Sequence, residues 1–190
     1  MVNCQGGLLM RDPGFAALLR DVVSVWRPEV SVSWEGDPRT PVYALVASGV
    51  PCALQPVSDS TRETLLGDIE RATHVAYLQP TDLRAGDWLA EEAAGDVLAA
   101  PAAQGGRAVT VAHTGRVARG DRLCVGADSG AELVLAGDAN GVTASLATAL
   151  RYAHAAGESV SVVVAYEVLG VRDEAGQGHH LRVDLRKLIA

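Results

Sequence analysis

Two apolar runs separated by a long polar connection most constrain the fold of this chain. The runs are VPCALQPV at residues 50–57 and THVAYL at residues 73–78. Short apolar runs bounded by polar residues are typical of strands. A turn signal, TDLRAGD, follows at residues 81–87, where glycine supplies a positive φ and aspartate bonds nearby backbone. We therefore predict two neighbouring strands that hold one long polar connection, residues 58–71, between them.

The polar connection is the first candidate for a functional segment. A connection of this length inside a compact β domain is usually either functional or disordered. Residues 60–63, STRE, have the spacing of a helix capping box, so residues 61–69 form either a short helix or a fluctuating turn. The side chains that would act here are Ser58, Asp59, Arg62, Glu63, Asp68, Glu70 and Arg71.

The composition restricts both the architecture and the partners. At 190 residues, the chain forms one domain or two small ones with a sizeable core. Hydrophobic residues make up 48% of the chain but aromatic residues only 4%, so strands must pack mainly through β-branched side chains. The net charge of −7 disfavours general binding to nucleic acid, since that affinity comes from Lys and Arg. An acidic surface does suit the lining of a channel through which DNA slides.

The cysteine and histidine patterns do not predict a catalytic, metal or cofactor site. Cys4, Cys52 and Cys124 are odd in number and widely spaced, which predicts free, buried thiols in a reducing compartment. His179 and His180 are adjacent, and neighbours on a strand point to opposite faces, so the pair cannot chelate one ion. We also predict no signal peptide and no membrane-spanning stretch.

The remaining patterns predict a mainly β protein with one N-terminal helix. Asp12 as N-cap, Pro13 at the first helical position and apolar residues at spacings of three and four predict a helix over residues 12–26. Pro28 would end this helix. Strands are predicted at residues 30–34, 42–47, 50–57, 73–78, 88–90, 160–171 and 180–188, with a hairpin loop at residues 173–178.

The composition changes between residues 91 and 159. Residues 91–106, EEAAGDVLAAPAAQGG, predict a linker. Four further runs, each bounded by Gly, Asp or Asn, predict a second small β unit: residues 107–112, 120–125, 132–135 and 142–146. Residues 146–157 close this unit with a turn or a helical segment. LRAGDWL at residues 83–89 is echoed by VARGDRL at residues 117–123, and we interpret the echo as shared turn chemistry in preference to duplication.

Several phrases together resemble one protein family. They are the strand–connection–strand pattern, ATHVAYLQP at residues 72–80, DLRAGD at residues 82–87 and YEVLGVRDEAGQGHHLRVDLR at residues 166–186. In combination, these phrases resemble the head-completion, or stopper, proteins of tailed bacteriophages, over residues 30–87 and 160–188. The resemblance implies a small β-barrel, formed with the N-terminal helix by residues 1–92 and 160–190. Residues 93–159 would then be a second small β domain, inserted between two barrel strands.

The resemblance also implies a structural role in the virion, and no enzymatic activity. Stopper proteins are head–tail connectors of the phage neck, and the implied assembly is a ring, six-fold or alternatively twelve-fold, between the portal-adaptor and the tail. Packaged double-stranded DNA would lie in its channel without sequence-specific contacts. The family's channel-closing loop matches residues 58–71. The alternatives are a tail terminator or minor tail protein, and a small hydrolase using Cys52 or His179, for which no base lies at recognisable spacing.

Overall fold

A computed structural model describes residues 13–29, 42–57, 72–173 and 180–188 of the chain. These residues are mainly β, as the sequence predicts, and their ten antiparallel strands form one sheet. The strands are β1 (Asp21–Glu29), β2 (Val42–Pro56), β3 (His74–Leu78), β4 (Trp88–Val97), β5 (Ala108–Thr110), β6 (Arg122–Val125), β7 (Glu132–Asn140), β8 (Thr143–Leu146), β9 (Ser159–Asp173) and β10 (Leu181–Lys187). The described helices are α1 (Pro13–Ala16) and a 3₁₀ turn (Asp128–Gly130), and none is long and apolar enough to cross a membrane.

The predicted helix over residues 12–26 is wrong beyond its first turn. Only Pro13–Ala16 is helical, and Asp21–Glu29 forms strand β1. Val23 and Val25 alternate into one core, while Trp26 is buried in another. The apolar spacing that fits a helix therefore serves a strand with apolar clusters on both faces. The two edges of this strand pair with β2 and β4. Proline has no N–H to donate to a neighbouring strand, and Pro28 is tolerated because the pairing of β1 with β4 already ends at Trp26.

The two strands predicted at residues 42–47 and 50–57 are one continuous strand, β2. Its pairing with β1 shifts register twice, on either side of Val25. Gly49 lies at the first shift with a φ of +64°, a conformation that favours glycine. Ser48 and Gly49, which separate the two predicted strands, therefore form a bulge within one strand. The strand predicted at residues 30–34 lies outside the described residues.

Six strands form a closed hydrogen-bonded cycle. The pairings run from β10 to β3, β2, β1, β4 and β9, and β9 pairs with β10 again. All six strands contribute to one apolar core, whose buried members are Val23, Val25, Cys52, Ala76, Leu78, Leu89, Tyr166, Val168, Val183 and Leu185. Because neighbours are antiparallel, β2, β4 and β10 end at the same end of this cycle, where β3 and β9 begin. Residues 58–71 and 98–158 thus leave from that end, and residues 174–180 from the other.

The other four strands surround a second core with the ends of β4 and β9. β9 pairs with β6, and the order continues through β7, β8 and β5. A bridge between Leu98 and Val111 joins the chain beyond β4 to the chain beyond β5. The second core contains residues such as Val109, Leu123 and Leu146. A third cluster, which includes Trp26 and Ala131, packs β1 and β2 against residues 124–133.

The predicted linker at residues 91–106 is wrong over its first half. Residues 91–97 belong to β4 and pair with β9 down to the partners Val97 and Ser159. The expected domain boundary at residues 92 and 93 falls inside this strand, at a register shift between Glu92 and Ala94. Residues 91–97 are rich in alanine and have low strand propensity by themselves. They form a strand because they pair with β9, which contains a run of valines. The division of the chain into two domains stays a prediction.

The echo between residues 83–89 and 117–123 is confirmed as shared turn chemistry. The N–H of Asp87 donates to the Arg84 carbonyl at 3.1 Å, and the N–H of Asp121 donates to the Ala118 carbonyl at 3.1 Å. In return, the Asp87 carboxylate accepts the N–H of Arg84 at 2.9 Å, and the Asp121 carboxylate accepts the N–H of Ala118 at 2.7 Å. The glycine before each aspartate has a φ near +90°, which is typical of the third position of a type II turn.

A third copy of this turn, which the sequence comparison missed, launches β9. The N–H of Ala155 donates to the Glu158 carboxylate at 2.8 Å, and Gly157 has a φ of +87°. Glutamate replaces aspartate here, which conceals the similarity. Residues 146–157 contain turns and no helix, which decides between the two predicted alternatives.

Candidate functional site at the base of the connection between β2 and β3

The two strands that flank residues 58–71 are direct neighbours, as predicted. β2 and β3 pair from Cys52 opposite Leu78 to Pro56 opposite His74. One step further, the N–H of Val57 donates to the Thr73 carbonyl at 3.0 Å. The two ends of the connection are therefore held side by side. The predicted site residues themselves, Ser58, Asp59, Arg62, Glu63, Asp68, Glu70 and Arg71, all lie outside the described residues.

Thr73 fixes this base to a third strand. Its N–H donates to the Leu185 carbonyl at 2.8 Å, and its hydroxyl oxygen accepts the N–H of Lys187 at 2.7 Å. The neighbouring residue Ala72 is only 1% exposed. Three strands, β2, β3 and β10, therefore meet where the connection begins and ends, so the base is a rigid part of the cycle. Sequence reasoning missed Thr73 and Lys187, because they are far apart along the chain.

A group of three polar side chains lies beside this base. The rings of His74 and Tyr166 meet edge to face with centroids 5.0 Å apart, and the Tyr166 hydroxyl donates to Glu91 at 3.4 Å. Burial, followed by the charge of Lys187, lowers the pKa of His74. Burial and the neighbouring Glu91 raise the pKa of Tyr166 to about 12. Both rings are thus neutral near pH 7, which suits packing of the base.

Cys52 lies in the same core and is a buried free thiol, as predicted. It is fully buried, and burial together with the charges of Asp21 and Glu91 raises its pKa to about 12. A thiol acts as a nucleophile only as the thiolate, so this environment disfavours reactivity. Cys124 is also free but half-buried, and Cys4 lies outside the described residues.

The histidines of the described residues have separate surroundings. His113 contacts Asp96 at the surface, with Nδ1 2.9 Å from a carboxylate oxygen. His180 stacks on Phe15 with ring centroids 4.8 Å apart. His154 is buried and contacts two carboxylates. Within the described ranges, no three His, Cys, Asp or Glu side chains are placed to hold a metal ion. His179 lies outside those ranges.

An ion pair at the opposite end of the cycle was also missed by sequence reasoning. Arg27 donates from Nε and Nη2 to the two carboxylate oxygens of Asp87, at 2.9 and 2.8 Å. Its Nη1 also reaches Asp82 at 3.1 Å. The turn between β3 and β4 is thereby fixed to β1. The misassigned helix concealed this contact, since it placed Arg27 at a helix end.

Comparison with known proteins identifies no relative: no protein-family model matches the chain, and no curated protein matches it.

Proposed function

We propose that this chain is a structural protein of the tailed-phage neck, a stopper that joins the portal-adaptor to the tail and retains packaged DNA. The observation that carries the proposal is the rigid base of residues 58–71. Val57 and Thr73 are hydrogen-bonded, and Lys187 fixes Thr73 from a third strand. Such a base defines where residues 58–71 leave and re-enter the strands. In a ring, every subunit would present the same connection toward one axis.

The strand arrangement is compatible with the stopper barrel that the sequence resemblance implies. The resembling stretches contribute β2, β3, β9 and β10, which are four of the six strands in the closed cycle. The cycle encloses a single apolar core to which all six strands contribute, as expected for a small barrel. The remaining strands, β5 to β8, lie within residues 93–159 and form most of the second core. This arrangement supports a barrel with an inserted unit.

The proposed mechanism is steric and electrostatic. Residues 58–71 carry four carboxylates and two arginines, so each copy has a net charge of −2. Asp59, Glu63, Asp68 and Glu70 keep the field around DNA repulsive, while Arg62 and Arg71 offer a few phosphate contacts. Weak contacts become effective because each subunit of the ring repeats them. DNA is then blocked or released without tight, sequence-specific binding.

The test replaces residues 58–71 with Asn-Gly in an infectious clone, which leaves a three-residue connection, Asn-Gly-Ala72, between Val57 and Thr73. The hydrogen bond between Val57 and Thr73 makes this substitution compatible with the fold, because the strand ends already meet. We expect the variant to enter assembled necks, while its heads lose DNA to added nuclease. The matched control shortens residues 174–179, which connect β9 and β10 at the opposite end of the cycle, and should retain DNA.

Two outcomes would overturn the proposal. Heads that stay full of nuclease-resistant DNA with the shortened connection would show that residues 58–71 do not retain it. A cryo-EM reconstruction of the virion that lacks the chain at the neck would remove the proposed location. Density for the chain on purified tails, and not on heads, would instead identify a tail terminator.

A further inference from the structure

The segment between β8 and β9, residues 147–158, is held by side-chain carboxylates as well as by backbone bonds. We name this segment the strap. Glu132, at the start of β7, accepts the backbone N–H of Arg151 at 2.8 Å and that of Tyr152 at 3.2 Å. In the middle of the strap, the N–H of His154 donates to the Ala102 carbonyl at 2.8 Å. Backbone hydrogen bonds also hold Ala147, Leu150 and Gly157, so Glu132 is the particular anchor of the turn at Arg151 and Tyr152.

The side chain of His154 joins the strap to Glu132 a second time. It is 2% exposed, with Nε2 2.8 Å from a Glu132 oxygen and Nδ1 2.9 Å from a Glu158 oxygen. A neutral imidazole has one N–H, so one of its nitrogens would present a lone pair to a carboxylate oxygen. An imidazolium donates to both. The geometry therefore favours the charged ring between two carboxylates.

The surroundings of the ring favour the same charge state. Burial lowers the pKa of His154, but the hydrogen bonds and charges of Glu132 and Glu158 outweigh it, so that the pKa is raised above its ordinary value. Gly126 packs against the ring, since a Cβ there would lie 2.7 Å from Cε1. On the adjoining 3₁₀ turn, Asp128 is exposed to solvent. Glu132 and Glu158 are thus the titratable groups that face the ring.

The strap also contacts the six-strand cycle. The Arg151 guanidinium forms an ion pair with Glu29 of β1 at 3.1 Å. We propose that His154 is a proton-dependent lock: its charged ring holds Glu132 against the turn at Arg151 and Tyr152, and loss of its proton releases this turn and the Arg151–Glu29 contact with it. No covalent step is involved.

The direction of the pH dependence follows from the sign of the shift. His154 binds its proton more tightly in the folded state, so the stabilisation is fully present below the unfolded pKa of about 6.5. It is lost as the pH rises through the higher, folded-state pKa. The turn at Arg151 and Tyr152 should therefore be ordered below the folded-state pKa of His154 and should open above it, while the remainder of the sheet stays folded.

The test is hydrogen exchange of the full-length chain between pH 7 and pH 10, corrected for intrinsic exchange and compared with the ¹⁵N imidazole shifts of His154. We expect the protection of the Arg151 and Tyr152 amides to fall about tenfold to a hundredfold, in parallel with the titration of His154. The amides of Thr73 and Lys187 serve as the internal reference. In His154→Gln the two strap amides should already be exposed at pH 7 and independent of pH.

The matched control is His113→Gln, which removes an exposed histidine beside Asp96 and should behave as the wild type. Strap protection that stays constant while His154 loses its proton would overturn the proposal, as would ¹⁵N shifts of a neutral ring at pH 7. The ¹⁵N titration of the wild type decides the charge state even if His154→Gln fails to fold.

Discussion

Replacing one leucine in each of the two larger cores tests whether the chain unfolds as one unit or two. Leu89 on β4 is fully buried in the core of the six-strand cycle, and Leu123 on β6 is fully buried in the second core. β4 pairs with β9 along the whole length of β4, and this strand pair borders both cores. Damage to either core should therefore weaken the strand pair on which the other depends.

The expected magnitudes are the same for Leu89→Ala and Leu123→Ala. Truncating a fully buried leucine costs about 3 kcal/mol, because apolar contact is lost and a cavity remains. For a chain of this size, each kcal/mol lowers the unfolding midpoint by about 2–4 °C. Both variants should then lower a single midpoint by about 6–12 °C. Leu18→Ala is the matched control, since Leu18 is 63% exposed and its loss should shift the midpoint by about 1 °C at most.

Differential scanning calorimetry gives the answer directly. One transition is expected for the wild type and for both core variants, with equal calorimetric and van't Hoff enthalpies. Two transitions, with Leu123→Ala lowering only one of them, would refute this reasoning. That result would show that residues 93–159 unfold as an independent domain, as the sequence alone predicts.

Two further substitutions test individual contacts. Asp87→Ala should lower the free energy of unfolding by about 2 kcal/mol, because buried Asp87 accepts the Arg84 N–H and pairs with a partly exposed Arg27. Asp138→Ala, in an exposed pair with Arg119, should change it by about 0.5 kcal/mol or less in urea titrations, and equal effects would contradict the argument. Cys52 should resist iodoacetamide at pH 8 in the native protein and react after denaturation, as followed by mass spectrometry, because its pKa is about 12. Rapid native modification would revive the hydrolase alternative.

Local chemistry explains which elements the sequence predicts well. The strands in residues 73–78, 120–125 and 142–146 are short runs between turn residues, and all three are present. The turns at Gly86 and Gly120 are predictable because a positive φ and an aspartate at the next position are properties of the tetrapeptide itself. Such signals do not depend on which strand lies alongside.

Long-range pairing explains the failures. Residues 21–26 have a helical apolar spacing, yet β2 and β4 flank them on both sides. Residues 91–97 are rich in alanine and glycine, yet they extend along β9. In both cases the tertiary partner overrides local propensity, and the partner is not encoded nearby in the chain.

The candidate site shows the same division between local and long-range information. Composition alone marks residues 58–71 as a polar connection between two strands, and the pairing of β2 with β3 confirms those strands as neighbours. The residues that make the base rigid are invisible to the same reasoning. Thr73 and Lys187 are 114 positions apart, and their hydrogen bond exists only because β10 returns to β3.

Strand direction links the proposed function to the second group of strands. β2 and β4 both lie antiparallel to β1, so they run in the same direction and end at the same end of the cycle. Residues 58–71 follow β2, and residues 98–158 follow β4. Both segments therefore leave the cycle at the same end, but the third cluster packs residues 124–133 along β1 and β2 toward the other end. If the chain forms the proposed neck ring, residues 93–159 begin on the side of residues 58–71 and extend along β1 and β2, so they would contact neighbouring subunits at the side of the ring as well as at that end.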